Sequence, residues 1–142
     1  MVAQHMFDKC IYFNLVTLTR KINKIWAEEF ERLGLSPSHG YLLFAIAEKP
    51  DTSQKLLSEL MELDASTITR FIDTLSRKGL VEKTTKGRGA IITITPAGKK
   101  MYLDVKMVMD KLYGQMQVHF GLKQFSNFVA GLFEARQSFN ES

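Results

Sequence analysis

A chain of 142 residues with 45% apolar content can bury one real core, and its net charge of +4, with a pI of about 9.2, weakly favours an anionic partner. A single cysteine excludes an intrachain disulfide framework and fits a reducing, cytoplasmic setting. The start, with Asp8 and Lys9 and no apolar run before Cys10, does not read as a signal peptide, and the longest apolar run, 41–47, is too short to span a bilayer, so no membrane partner is expected.

A long first helix is predicted over about 7–33. Ile11, Leu15, Leu18, Ile22, Ile25 and Trp26 form one stripe at helical spacing, and Tyr12, Phe13, Val16 and Phe30 widen it beyond what one neighbouring helix can cover. A helix this apolar around its girth is either deeply buried or shared with another chain. Arg20, Lys21 and Lys24 with Glu28, Glu29 and Glu31 supply its solvated face, and Gly34 stops it. Ser36-Pro37 opens the second helix as cap and first-turn proline. Leu42, Leu43, Phe44 and Ile46 face the core, and Lys49-Pro50-Asp51 breaks the helix.

Thr52 or Ser53 then caps a short amphipathic helix, and a serine in that place could also meet a phosphate, because free N–H groups point outward at a helix start. Asp64 caps the next helix by accepting free N–H groups of its first turn. Ile68, Phe71, Ile72 and Leu75 make the buried stripe there, which leaves Ser66, Thr67, Thr69, Arg70, Asp73 and Thr74 outward. Such a face fits any small solvated helix. It also suits the major groove, where hydroxyls reach phosphates or base edges and an arginine can bond guanine through two donors.

The segment after this helix tips the balance. Gly79 ends the helix as a left-handed cap, Leu80-Val81-Glu82-Lys83 can run as a strand, and Lys86-Gly87-Arg88-Gly89 reads as a glycine-rich turn. Ala90-Ile91-Ile92-Thr93-Ile94 returns as a second strand, and Thr95-Pro96 starts another helix. Between Arg77 and Lys100 the cations are Arg77, Lys78, Lys83, Lys86, Arg88, Lys99 and Lys100, opposed by Glu82. A basic hairpin beside such a helix is what a phosphate backbone attracts. The unit over 53–96 therefore has the grammar of a helix-turn-helix with a wing.

Ser-Gln-Lys-Leu-Leu-Ser-Glu-Leu from Ser53, Ala-Ser-Thr-Ile-Thr-Arg-Phe-Ile-Asp-Thr-Leu from Ala65, Lys-Gly-Leu-Val-Glu-Lys from Lys78 and Ile-Thr-Pro-Ala-Gly from Ile94 together resemble the multiple antibiotic resistance regulator (MarR) family. The resemblance covers nearly the whole chain. It implies a dimeric winged-helix transcription regulator, and a repressor released by a small-molecule effector in the cleft between the dimer helices and the winged helix. One departure is visible. The family wing usually carries an aspartate two residues before its arginine, bracing it; Arg88 matches the arginine, but Lys86 stands where the aspartate would be.

After Pro96 a helix runs to about His119, with Tyr102, Leu103, Val105, Met109, Leu112, Tyr113 and Met116 facing more than one direction. Gly121 breaks it, and Leu122, Phe125, Phe128, Val129, Leu132 and Phe133 form a last, phenylalanine-rich stripe. These helices hold more apolar surface than a small winged helix can bury, so the first and the last two are expected to form a dimer interface, against the plainer reading of a monomeric bundle.

Catalytic and metal chemistry find no foothold. His5, His39 and His119 lie in different elements, and one cysteine cannot complete a zinc site. Gly87 and Gly89 lack the strand–loop–helix context of a phosphate loop, and no serine sits in a nucleophile elbow. Cys10 is the one ambiguous residue. It resembles the reactive cysteine of the organic-hydroperoxide-sensing branch of the family, but Asn14 and Lys24 stand at the spacings where that branch has tyrosines. As cysteine is also a common small core residue, packing is preferred over a redox role.

The expected fold is mostly α with a small β wing: a single winged-helix regulator domain over 1–142, its DNA-binding part over 36–96 and dimerisation helices over 1–33 and 97–142. The expected partners are duplex DNA with an inverted-repeat operator, a second copy of the chain and a small-molecule effector; no cofactor, metal or catalytic residue is expected. Ser66, Thr67, Thr69 and Arg70 are the candidates for the major groove. Lys83, Lys86 and Arg88 are those for wing contacts to phosphates or the adjacent minor groove, and Ser53, Lys55 and Arg77 are further phosphate candidates. The competing classes are a winged-helix module used for protein contacts and a thiol-based peroxide sensor using Cys10.

Overall fold

The structure is a computed structural model that describes residues 5–87 and 89–140, without the side chain of Lys86. In chain order it contains α1 (Ile11–Glu31), α2 (Pro37–Glu48), β1 (Thr52–Ser53), α3 (Gln54–Met61), α4 (Ala65–Arg77), β2 (Val81–Lys86), β3 (Gly89–Ile94), α5 (Pro96–Phe120) and α6 (Leu122–Ser138). The mostly α architecture with a small antiparallel sheet is the expected winged helix. Two compact units divide the chain at Lys106 and Met107.

In the first unit, cap chemistry sets the helix starts. Ser36 accepts the N–H of His39 at 3.2 Å, Ser53 that of Leu56 at 3.1 Å, and Asp64 that of Thr67 at 2.7 Å. Thr95 Oγ1 accepts the N–H of Gly98 at 3.0 Å and donates to the carbonyl of Gly79 at 2.6 Å, so one hydroxyl joins the start of α5 to the end of α4. The stop of α4 is a full left-handed cap. Gly79 takes φ 75°, its N–H bonds the Ser76 carbonyl at 2.9 Å, and the Leu80 N–H bonds the Leu75 carbonyl at 3.0 Å.

The sheet order is β1–β3–β2, antiparallel throughout. Val81 pairs with Ile94, Lys83 with Ile92 and Lys86 with Gly89, while Thr52 and Ser53 pair with Ile92 and Ile91. The core of this unit gathers Phe30 from α1, Leu42, Leu43 and Ile46 from α2, Leu57 from α3, Ile68, Ile72 and Leu75 from α4, Ile92 from β3 and Val105 from α5, all fully or almost fully buried. In the second unit Leu112, Met116 and Phe125 are buried, and Phe125 contacts the rings of Tyr113 and Phe120 at 5.3 Å and 5.9 Å.

Four expectations change. The first helix starts at Ile11 rather than near Phe7, since residues 6–9 turn and Cys10 occupies the cap position. The strands continue further into the glycine-rich segment than expected, leaving 87–88 between the paired Lys86 and Gly89. A third strand, β1, exists because Thr52 and Ser53 lie alongside β3; two residues carry no periodicity, so the sequence does not announce it. Phe71 is only partly buried, and its ring lies 4.5 Å from that of His39 on α2 rather than in the main stripe.

Candidate nucleic-acid interface

Helix α4 is fixed on one side and open on the other. Ile68, Ile72 and Leu75 are fully buried, and opposite them Ser66 and Arg70 are exposed, with Thr67 and Thr69 half-buried. Asp64 braces the start. Its Oδ1 accepts the Thr67 N–H and, at 2.9 Å, the Ser66 hydroxyl, and these bonds together with one from the Thr67 hydroxyl, the Thr67 backbone foremost, hold the carboxyl below the usual carboxylate range. The front of the helix is therefore set before any ligand arrives.

Along the outward face a hydroxyl–arginine step occurs twice. Arg70 Nη2 donates to Thr67 Oγ1 at 3.3 Å and Arg77 Nη2 donates to Thr74 Oγ1 at 3.1 Å. Seven residues bring a helix nearly round to the same azimuth, so both guanidinium groups lie along one line, about 10 Å apart by helix rise. Thr74 Oγ1 itself donates to the Arg70 carbonyl at 3.1 Å. Each arginine is thus held loosely near the helix surface, with donors left over for an anion or a base edge.

The other candidates fall around this face to different degrees. Lys55 is exposed on the first turn of α3, and exposed Ser53 spends its acceptor on the cap of that helix. Lys83 is exposed on β2, on the sheet face it shares by register with Val81 and Ile92. Lys86 closes the hairpin by its backbone pairing with Gly89; its side chain and the whole of Arg88 lie outside the described residues.

Three contacts carry no local signal in the sequence, because their partners are distant in the chain. Gln54 Nε2, at the start of α3, donates to Thr69 Oγ1 on α4 and locks the two helices of the motif together. Trp26 Nε1 donates to the Tyr41 hydroxyl at 2.8 Å between α1 and α2. The Tyr102 hydroxyl donates to Glu48 Oε1 at 2.7 Å between α5 and α2, and this bond to a carboxylate raises the tyrosine pKa above its ordinary value. His39 is pushed the other way: partial burial against Phe71 and the charge of Lys78 lower its pKa.

Cys10 is exposed, not packed in a core. Its Sγ accepts the Phe13 N–H at 3.5 Å as the cap of α1, and Asn14 Nδ2 donates to the Cys10 carbonyl at 2.9 Å. The packing role expected of it is therefore replaced by a capping one. Among the described residues no three His, Cys, Asp or Glu side chains are grouped to hold a metal ion, and no helix is long and apolar enough to cross a membrane.

Comparison with known proteins bears on the same segment. Residues 33–89 match the model of the MarR family. No curated protein matches the sequence. Among solved structures, a MarR/EmrR family transcriptional regulator from Acinetobacter sp. ADP1 superposes with a TM-score of 0.82 at 16% identity, covering 96% of this chain and 99% of that one. The transcriptional regulator BldR from Sulfolobus solfataricus gives 0.76 at 25% identity, covering 94% and 97%. CouR from Rhodococcus jostii RHA1, bound to p-coumaroyl-CoA, gives 0.77 at 22% identity, covering 94% and 93%. Residues 33–89 of this chain are thus similar to the MarR family, and the chain shares its fold with the solved MarR/EmrR family regulator.

Proposed function

We propose that the protein is a homodimeric regulator of transcription that binds duplex DNA in a sequence-dependent way and is released by a small-molecule effector. The observation that carries the reading is α4: a capped helix with Ile68, Ile72 and Leu75 sealed on one side and Ser66, Thr67, Thr69 and Arg70 on the other. Arg70 has the donors to read base edges, while Lys55, Arg77 and Lys83, with Lys86 and Arg88 of the wing, supply the charge that holds phosphates. The reading requires no cofactor, metal or catalytic step.

Dimerisation is supported by apolar surface that the single chain leaves bare. Ile11 and Tyr12 on α1 are 76% and 74% exposed, and Leu132 and Phe133 on α6 are 37% and 54% exposed. Solvated helix faces rarely carry such residues in a row, whereas an obligate interface does. A two-fold dimer favours an inverted repeat with half-sites about one DNA turn, roughly 10 bp, apart.

Selection of bound sites from a random duplex pool tests the reading, with affinities then followed across a salt series and the mass in solution read by light scattering. Recovery of an inverted repeat by a dimer supports it. A stable monomer at micromolar concentration removes the dimer, and the absence of salt-dependent binding to any duplex removes the DNA reading in favour of a module for protein contacts.

A further inference from the structure

The outward hydroxyls of α4 are less available than their number suggests. A threonine hydroxyl has one proton to donate and two lone pairs to accept with. Thr69 Oγ1 donates its proton to the Ala65 carbonyl at 2.9 Å and accepts from Gln54 Nε2. It has nothing left to donate to a phosphate, to purine N7 or to the carbonyl oxygens of guanine and thymine, and turning it outward would break both bonds. Ser66 is committed in the same way, to Asp64 Oδ1. The Thr67 hydroxyl is engaged too, accepting from Arg70 at 3.3 Å and hydrogen-bonding the Asp64 carboxylate.

Resting on the DNA-binding reading above, we infer that Thr69 reads the 5-methyl group of a thymine through its own γ-methyl, with Gln54 as the residue that holds it in that orientation. Thr69 lies in the second turn of α4, beside Arg70 and next to buried Ile68, and it is half-buried. With the hydroxyl held against the helix backbone and Gln54, the methyl is the group this side chain can bring to a partner. Thymine is the standard base whose major-groove edge presents a methyl, and an apolar contact there distinguishes it from the other bases. Gln54 acts through Thr69: its amide bridges α3 to α4 and keeps the hydroxyl from rotating toward a base or a phosphate.

The test removes one methyl at a time. Once the preferred operator is known, each thymine is replaced singly by deoxyuridine, which keeps the pairing and loses only the 5-methyl. One position per half-site should then bind about four-fold more weakly for the wild type, the effect of one buried methyl. Thr69→Val keeps the methyl and loses the hydroxyl, so that ratio should persist; Thr69→Ser keeps the hydroxyl and loses the methyl, so it should fall to about one. Gln54→Met, of similar shape but without the amide, should also lower the ratio at that position, whereas a purely structural role would weaken every operator equally. Circular dichroism and thermal melting establish that each variant is folded. A ratio that survives Thr69→Ser, or that Thr69→Val abolishes, overturns the inference while leaving DNA binding standing. A ratio untouched by Gln54→Met overturns the role of Gln54. Wild-type protein that binds no duplex overturns the DNA reading and this inference with it.

Discussion

Two glycines in one helix should respond to the same substitution with opposite sign. Gly98 lies in the first turn of α5, where the helix passes over the Leu80 backbone; a β-carbon there would sit 2.0 Å from the Leu80 carbonyl oxygen and 2.6 Å from Ile94 Cγ1. Neither neighbour can yield freely. The Leu80 carbonyl accepts the Thr95 N–H at 3.1 Å, its N–H closes the cap of α4, and Ile94 is paired with Val81. Relief to ordinary contact at 3.4 Å needs a backbone shift of about 1.4 Å, and overpacking of this kind costs about 1–3 kcal/mol, with a further ~1 kcal/mol if the Thr95 bond is lost. The gain in helix propensity from Gly to Ala, ~1 kcal/mol, offsets part of that. The net expectation for Gly98→Ala is a loss of about 2 kcal/mol, or a Tm lower by roughly 6 °C for a chain of this size. Gly114, further along α5, has no atom within 4 Å of its would-be β-carbon, so Gly114→Ala should gain up to ~1 kcal/mol. Thermal melts followed by circular dichroism at one fixed protein concentration decide the matter. A Gly98→Ala protein as stable as the wild type would refute the close approach between α5 and the α4–β2 corner.

Other outcomes concern the interface and its surroundings. Arg70→Ala should cost about 1–3 kcal/mol on the operator and relax specificity at one position per half-site, whereas Arg88→Ala should weaken operator and scrambled duplex alike and lower the salt slope by about one unit. Because burial and Lys78 depress the His39 pKa, the folded chain favours the neutral ring; its contribution is complete above the unfolded value of about 6.5 and is lost as pH falls through the lower folded value. Melts from pH 7.5 to 5 should therefore show falling stability, and His39→Gln should flatten that part of the profile. Cys10→Ser keeps a side-chain acceptor at the cap of α1, so DNA affinity and its response to peroxide should stay unchanged; release of the wild type by peroxide, and not of the variant, would make Cys10 a sensor.

The features legible in the sequence are those the chain encodes locally. Ser36, Ser53, Asp64 and Thr95 announce helix starts because a cap needs only the next three residues, and Gly79 announces a stop because only the following turn constrains it. Ile68, Ile72 and Leu75 mark the buried side of α4 through their spacing. Phe71 misleads because the same spacing cannot tell a fully buried ring from one resting on His39 of another helix. Cys10 misleads for a related reason: small size permits burial but does not enforce it, and the residue falls just outside the first turn. Gln54 gives no signal because a glutamine at a helix start has no periodic meaning, and its partner Thr69 lies in the next helix.

The short first strand has a consequence for the wing. Ile91 and Ile92 of β3 are held from both sides, by Thr52 and Ser53 on one flank and by Lys83 and Thr84 on the other. Beyond them, Ala90 and Gly89 are paired across the hairpin with Thr85 and Lys86. Backbone amides should accordingly exchange with solvent deuterium in a gradient, slowest at 91–92 and fastest toward the end of the ladder. Opening the outer pairs leaves the inner ones intact, so in the proposed DNA complex the end of the hairpin would conform to a groove of varying width while its root keeps a fixed bearing on α3, whose first residue follows Ser53 directly.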